Sequence, residues 1–205
     1  MIHITPYYFC DETVLPERPV IMHIGGDPAT CTAIRRHWPD AEIIVVEANA
    51  ARCVDPLVMG ADTVIHAALT QCNGPITLYL YKRTTASSLW RRPKFGEPVE
   101  THEVEGCTLK TLMEDRGGVL ELDLLLMNCE GAELFALMEI AVDAGLYARV
   151  RQICMATHCH RFPVYTQERL DWWLKRMEAE EGFDITREYQ NGLEYVHLQY
   201  RRDFR

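Results

Sequence analysis

Asp123-Leu124-Leu125-Leu126-Met127-Asn128-Cys129-Glu130-Gly131-Ala132-Glu133-Leu134 passes from an apolar run straight into Asn, Glu and Gly and then turns amphipathic. The run up to Met127 shows no sustained alternation of polar and apolar residues. That predicts a strand covered on both faces, as in the parallel sheet of an α/β protein. Asn128 and Glu130 then stand at the carboxyl end of the strand, where open α/β sheets bind their ligands. A plainer reading of the same residues is a helix start, with Asn128 as N-cap and Glu130 in the first turn.

Working outward, short runs rich in Val and Ile alternate with helical patterns from Pro19 onward, which predicts a doubly wound, mostly parallel sheet. Val20 to Ile24 reads as the first strand, Gly25-Gly26-Asp27-Pro28 as a turn, and Pro28 as the start of a helix reaching Trp38. Ile43 to Glu47 is the second strand, followed by a short helix from Ala50 to Met59 and a third strand from Thr63 to His66. Asn73-Gly74-Pro75 signals a turn into an alternating strand, Ile76 to Tyr81, at the sheet edge or over the site. Residues 84–98 are polar and aperiodic, the pattern of a mobile substrate loop.

Downstream, a helix from Thr108 to Asp115 leads through Gly117-Gly118 into the quoted strand, and Ala132 to Ala144 forms the helix after it. Val150 to Met155 is the fifth strand and Thr166 to Glu181 an amphipathic helix. Phe183 to Tyr189 and Glu194 to Tyr200 alternate around Asn191-Gly192, a hairpin signal. A doubly wound α/β sheet ending in an antiparallel hairpin resembles the Rossmann-like, seven-stranded sheet of class I S-adenosylmethionine-dependent methyltransferases. No repeat or linker divides the 205 residues, so one domain is expected, with residues 1–18 as an N-terminal extension.

Composition narrows the partners. With 48% hydrophobic and 25% charged residues the chain reads as soluble and globular. No apolar run approaches the roughly 18 residues needed to cross a bilayer. Met1 to Pro6 lacks the basic start and apolar core of a signal peptide, so a cytoplasmic location is expected. A net charge of −9 argues against nucleic acid or an anionic membrane as partner. Lys82-Arg83, Arg91-Arg92 with Lys94, and Arg201-Arg202 read as solvated edges in preference to an anionic-substrate patch. The eight cysteines are dispersed without a Cys-x-x-Cys pair, which predicts reduced thiols. Cys154 with His158-Cys159-His160 is the one local grouping with soft-metal character. No metal is expected there, because neighbours on a strand point to opposite faces.

Glu47 closes the second strand 22 residues after Gly25, where its carboxylate can accept hydrogen bonds from a ribose diol. That placement suits NAD as well as S-adenosylmethionine. The turn Gly25-Gly26-Asp27-Pro28-Ala29-Thr30 lacks G-x-G-x-x-G, which a pyrophosphate needs. S-adenosylmethionine has no phosphate, and its amine can be held by strand-end carbonyls and a carboxylate such as Asp27.

On these residues the chain resembles the FkbM family of S-adenosylmethionine-dependent methyltransferases. Asp123 to Leu134 is similar to that family's D-L-[LI]-K-I-D-V-E-G-A-E-x signature. Val20 to Gly26 matches its cofactor loop, Val45-Val46-Glu47-Ala48-Asn49 its E-P-N segment, and Ala67-Ala68-Leu69 its adenine-side turn. Ser87-Ser88-Leu89 and the terminal hairpin extend the similarity over nearly everything after Pro19. Four departures stand out: His23 replaces Asp, Gly25-Gly26-Asp27 replaces G-A-N, Leu126 and Asn128 replace Lys and Asp, and Ala156 replaces the Glu of an E-x-H segment in which His158 survives. Two lost carboxylates speak against a hard-cation site.

The resemblance implies S-adenosylmethionine as cofactor, held by His23, Gly25, Gly26, Asp27, Glu47, Ala48, Ala67, Ala68 and Asn128. The acceptor is expected to be a small hydroxylated molecule, a sugar or secondary metabolite, methylated on oxygen. Methyl transfer requires in-line alignment and exclusion of water, with a base to take the hydroxyl proton. His158 and His160 sit at a strand end and only one can point inward; His158 matches the family His and is the expected base. Glu130 is expected to orient the acceptor or the sulfonium end, with Asn128 beside it. Glu133 favours the helix N-terminus, and Tyr79, Tyr81 and Trp90 either wall the acceptor pocket or pack. A degenerate, non-catalytic nucleotide-binding or interaction module is the alternative; an NAD-dependent oxidoreductase is disfavoured by the glycine turn. A homo-oligomer is compatible with the sequence but not specified by it.

Overall fold

The computed structural model describes residues 1–53, 56–82, 87–92, 95–159, 166–180, 182–190 and 193–201, the side chains of residues 57 and 58 excepted. His160, residues 84–86 and 93–94 of the expected loop, Glu181, the Asn191-Gly192 turn and Arg202 lie outside the described residues.

Two short strands, β1 (Ile2–His3) and β2 (Phe9–Cys10), pair in the N-terminal segment. There follow β3 (Val20–Ile24), α1 (Pro28–His37), β4 (Glu42–Glu47), α2 (Pro56–Met59) and β5 (Thr63–His66). Asp27 caps α1 through its side chain, Pro28 occupies the first turn, and Arg35, Arg36 and His37 face the negative end of the helix dipole. Next come β6 (Ala68–Leu69), β7 (Gly74–Leu80) and β8 (Glu100–Cys107), then α3 (Leu109–Thr111), which continues into a π-type turn over Leu112–Arg116. The remainder is β9 (Leu124–Met127), α4 (Glu133–Val142), α5 (Ala144–Tyr147), β10 (Gln152–Thr157), α6 (Gln167–Ala179), β11 (Phe183–Gln190) and β12 (Leu193–Tyr200).

Seven strands form the main sheet in the order β11-β12-β10-β9-β3-β4-β5, and among them β12 alone runs opposite to the other six. The chain winds one way from β3 to β5 and the other way from β9 outward. The switch point therefore lies between β3 and β9, the place where such sheets bind ligands. Successive residues feed two separate cores. Met22, Ile24, Ile44, Val46, Leu125 and Met127 pack on the face that carries α4 and α6, while Ile21, Ile43, Val45, Leu124 and Leu126 pack on the face that carries α1. Burial on both faces is why β9 reads as unbroken apolar sequence.

Three differences from the sequence expectation matter. The second face is covered by α1 together with residues 1–18, whose Ile4, Tyr8, Phe9 and Cys10 are buried in the same core. The N-terminal extension is thus part of the sheet packing. The strand β8 was not expected: its Glu100-Thr101-His102-Glu103-Val104-Glu105 is polar, because β7 and β8 belong to a separate three-stranded sheet, β6-β8-β7, and expose many of these side chains. The expected helix from Ala50 to Met59 contracts to α2 at Pro56–Met59.

The N-terminal segment is pinned by buried polar contacts. Asp11 donates its amide to Gln152 Oε1 at 2.8 Å, and His197 Nε2 reaches the same oxygen at 2.8 Å. Tyr8 Oη lies 3.4 Å from His23 Nε2. Burial lowers the pKa of both His23 and His197 to about 4, so both rings are neutral in the folded protein near neutral pH. An unfolded His takes its proton near 6.5. Stability is therefore expected to be full above pH 6.5, to fall as pH drops toward 4, and then to level, by about 3 kcal/mol per ring. Urea midpoints between pH 8 and 4 test this: a flat profile refutes it, and His23→Leu should reduce the slope.

Candidate active site

The crevice at the switch point begins with a close approach. The register pairs Ile24 with Met127, so Gly25 faces Asn128. Gly25 has φ +75, and a Cβ there would lie 2.2 Å from the Asn128 carbonyl oxygen. A Cβ on Gly26 would lie 2.5 Å from Val45 Cγ1. Both positions therefore require glycine, and beside Gly25 opens a crevice whose empty space, open solvent included, is about 530 Å³.

Glu47 and Ala48 at the end of β4 form one wall of this cavity, and Ala67, Ala68, Leu69 and Leu78 form an apolar slot. Ser87, Ser88 and Leu89 cross above it, held by paired backbone hydrogen bonds between Ser88 and Tyr79. Glu47 is buried, and its Oε1 accepts from the Asn49 amide at 2.7 Å. Its Oε2 stands 3.2 Å from Arg52 Nη1 without hydrogen-bond geometry, a buried acceptor left unsatisfied. Burial pushes the Glu47 carboxyl up, an effect that the Arg52 charge and backbone amides only partly offset. Arg52 also donates to the Gly26 carbonyl at 3.1 Å, tying this wall to the glycine turn.

The opposite wall is Asn128, Cys129 and Glu130. Among the described residues Glu130 alone combines a side chain with a left-handed backbone, φ 56, a conformation that costs on the order of 1–3 kcal/mol. Glu133 holds that turn in place. Its Oε1 accepts from the Cys129 amide at 2.8 Å and its Oε2 from the Gly131 amide at 2.7 Å. His158 Nδ1 lies 2.9 Å from the same Oε1. Burial acts to raise the Glu133 carboxyl, but the His158 charge and these hydrogen bonds outweigh it and hold it below the usual range. His158 Nε2 is 3.8 Å from Glu130 Oε1, and Arg92 Nη1 is 2.6 Å from Glu130 Oε2. Glu133, His158, Glu130 and Arg92 thus form a line of polar contacts that reaches the cavity wall at Glu130. Burial pushes the Cys129 thiol far up, so it lines the cavity uncharged.

Of the residues expected from sequence, Gly25, Glu47, Ala48, Ala67, Ala68, Asn128 and Glu130 are brought together around one cavity. Four are not. His23 points to the opposite face of the sheet, because residues of one strand alternate and its neighbour Ile24 faces the cavity. Gly26 lies beneath the turn, and Asp27 spends its carboxylate on the Thr30 amide and hydroxyl as helix cap. His158 is buried behind Glu130 and does not line the cavity. Arg92 corrects the expected solvated edge: it is 5% exposed and paired to Glu130. Arg52 was missed, since only the fold brings it back to Glu47. Cys154 and Cys159 pack in different cores, against a shared metal site.

Residues 20–191 match the methyltransferase FkbM domain. The chain belongs to the FkbM methyltransferase family. S-adenosylmethionine is accordingly its cofactor, and the unsatisfied Glu47 Oε2 and the glycine cradle suit a ligand with a ribose diol and no phosphate. No curated protein matches this FkbM chain closely in sequence. Among solved structures it is similar to a fibrillarin bound to Nop5p, with 12% identity, 91% of this chain and 74% of that one covered, and a TM-score of 0.51. It is also similar to the fibrillarin pre-rRNA processing protein of Methanococcus jannaschii, with 9% identity, coverage of 91% and 69%, and a TM-score of 0.50. Identities this low bear on the fold alone. Among the described residues of the FkbM protein no helix is long and apolar enough to cross a membrane.

Proposed function

We propose that this FkbM-family methyltransferase transfers a methyl group to a hydroxyl oxygen of a small molecule, a sugar or secondary metabolite. One observation carries the reading: a carboxylate, Glu130, is held at the cavity wall in a strained turn and backed by the buried His158–Glu133 pair. Bound S-adenosylmethionine supplies an electrophilic methyl whose bonding electrons stay on sulfur. Glu47 Oε2 accepts from the ribose hydroxyls, the Ala67–Leu69 and Leu78 slot takes the adenine, and Gly25 with Asn128 borders the methionine moiety. Ser87 to Leu89 exclude water over the reacting atoms. Glu130 faces the acceptor and takes its hydroxyl proton as the oxygen bonds to carbon, while His158 acts through Glu130 by its position behind that carboxylate.

Glu47→Ala is expected to weaken binding of S-adenosylhomocysteine by about 1.5–3 kcal/mol, the range for a hydrogen bond to a charged group. Calorimetry showing unchanged affinity would remove Glu47 from the cofactor site. The alternative, a non-catalytic binding module, is favoured by the 2.6 Å contact in which Arg92 occupies Glu130. Assaying labelled methyl transfer over a panel of hydroxylated sugars and metabolites separates the two. Firm cofactor binding with no acceptor turned over would establish the module.

A further inference from the structure

The chain carries a net charge of −9, yet residues 82–94 contain five cations, Lys82, Arg83, Arg91, Arg92 and Lys94, and no acid. Part of this segment, Ser87 to Leu89, roofs the cofactor cavity. A second crevice, with about 710 Å³ of empty space when open solvent is included, is lined by Tyr81, Arg91, Arg92, Gly96, Glu97 and Pro98. Arg92 lines this second crevice and contacts Glu130, which lines the first. Its guanidinium reaches Glu130 in the first cavity and lies 4.3 Å from the Phe95 ring centroid. Its amide donates to Tyr81 Oη at 2.6 Å, which fixes the backbone at that point.

Arg91 borders the same cavity with a weakly held partner. It pairs with Glu97 at 3.2 Å, but both side chains are mostly exposed, and such pairs are readily exchanged. Two adjacent guanidinium forks beside a reaction cavity match a carboxylate or a phosphate monoester, each able to accept two parallel hydrogen bonds. An arginine buried against Glu130 can leave it only for another anion, since an unpaired buried charge is costly.

We infer that the acceptor carries an anionic group, carboxylate or phosphate, seated on Arg91 and Arg92, with its hydroxyl in the first cavity against Glu130. This rests on the O-methyltransferase reading above. The anion exchanges one ion pair for another: Arg92 turns from Glu130 Oε2 to the ligand, and its contact no longer competes with the hydroxyl proton for that oxygen. The acceptor oxygen then forms the O–CH3 bond, the C–S pair remains on sulfur, and the proton ends on the Glu130 carboxylate. A neutral acceptor leaves Arg92 on Glu130 and the base blocked. The rule is one of specificity, because it rejects molecules that fit but lack the charge.

The test uses the full chain loaded with S-adenosylhomocysteine, titrated with glucuronate, glucose 6-phosphate and inorganic phosphate, with glucose as neutral control. Arginine Nε–Hε resonances are followed by NMR. The anions are expected to move the Arg91 and Arg92 signals and glucose to leave them unmoved; the two sugars distinguish carboxylate from phosphate. Arg91→Gln, an exposed position that should fold normally, is expected to weaken anion binding about ten- to hundredfold. Arg92→Gln is expected to abolish it. Cofactor product bound but arginines unmoved, or anion affinity unchanged in Arg91→Gln, overturns this inference alone. Failure of S-adenosylhomocysteine to bind overturns the methyltransferase reading and this one with it. An oligoribonucleotide binding more than about tenfold tighter than either sugar would overturn the small-molecule assignment.

Discussion

Glu130→Gln is expected to lower turnover by about 10²–10⁴-fold while leaving affinity for S-adenosylhomocysteine close to wild type. The amide keeps the shape of the side chain and can still accept from Arg92, so the φ 56 turn and the cavity wall persist. What disappears is the charge that takes the proton. His158→Ala should look different. It removes a hydrogen-bond partner of Glu133, which is fully buried, and for a buried charged group the loss of such a bond costs about 1.5–3 kcal/mol. Lower activity in that variant is thus expected together with a lower melting temperature. Glu130→Gln also leaves the buried Arg92 charge without its anion and should melt lower too, so activity is compared at a temperature where both variants stay folded. Full activity in Glu130→Gln on a true acceptor would place the base elsewhere.

The second large effect is at Gly25. An alanine there must hold φ +75, which costs about 1–2 kcal/mol, and its methyl would overlap the Asn128 carbonyl at 2.2 Å. Backbone cannot yield as a side chain does, so β3 and β9 must part, at a further cost of about 1–3 kcal/mol. Gly25→Ala is expected to lose measurable cofactor binding along with that stability. Gly118→Ala is the control, since Gly118 has φ +68 but nothing within 4 Å of a Cβ. It should show the conformational cost without the overlap. Calorimetry and urea denaturation read both quantities. Gly25→Ala binding S-adenosylhomocysteine like the wild type would show that the β3–β9 gap is not the cofactor's cradle.

Much of this architecture was legible in the chain because it is written in neighbouring residues. Burial on two faces makes β3, β4 and β9 continuous apolar runs, and β11 at the sheet edge alternates, while β12 alternates in sequence although both its faces are covered. The strand-end residues Gly25, Glu47 and Asn128 follow from knowing where each strand stops. β8 escaped because a strand in a small, half-exposed sheet carries Glu and His where a core strand carries Val and Ile. His23 was misplaced by a single step of the pleat. At a strand end that step separates the cavity from the opposite core, and in an all-apolar run no alternation indicates which side faces the ligand.

The line of polar contacts from Glu133 to Arg92 lies beyond local pattern. Its members come from the turn after β9, from the start of α4, from the end of β10 and from residues 87–92, with His158 and Glu133 separated by 25 positions and Glu130 and Arg92 by 38. They meet because Met155 registers with Met127 and because Ser88 pairs with Tyr79 across the cavity. Periodicity in the chain dictates that strands and helices form and which way they face, since those choices are settled by hydrophobic burial within a few residues. Which arginine is buried and which histidine stands one residue too far back are settled by packing between segments, where desolvation makes a charge adopt whatever partner the fold places within reach.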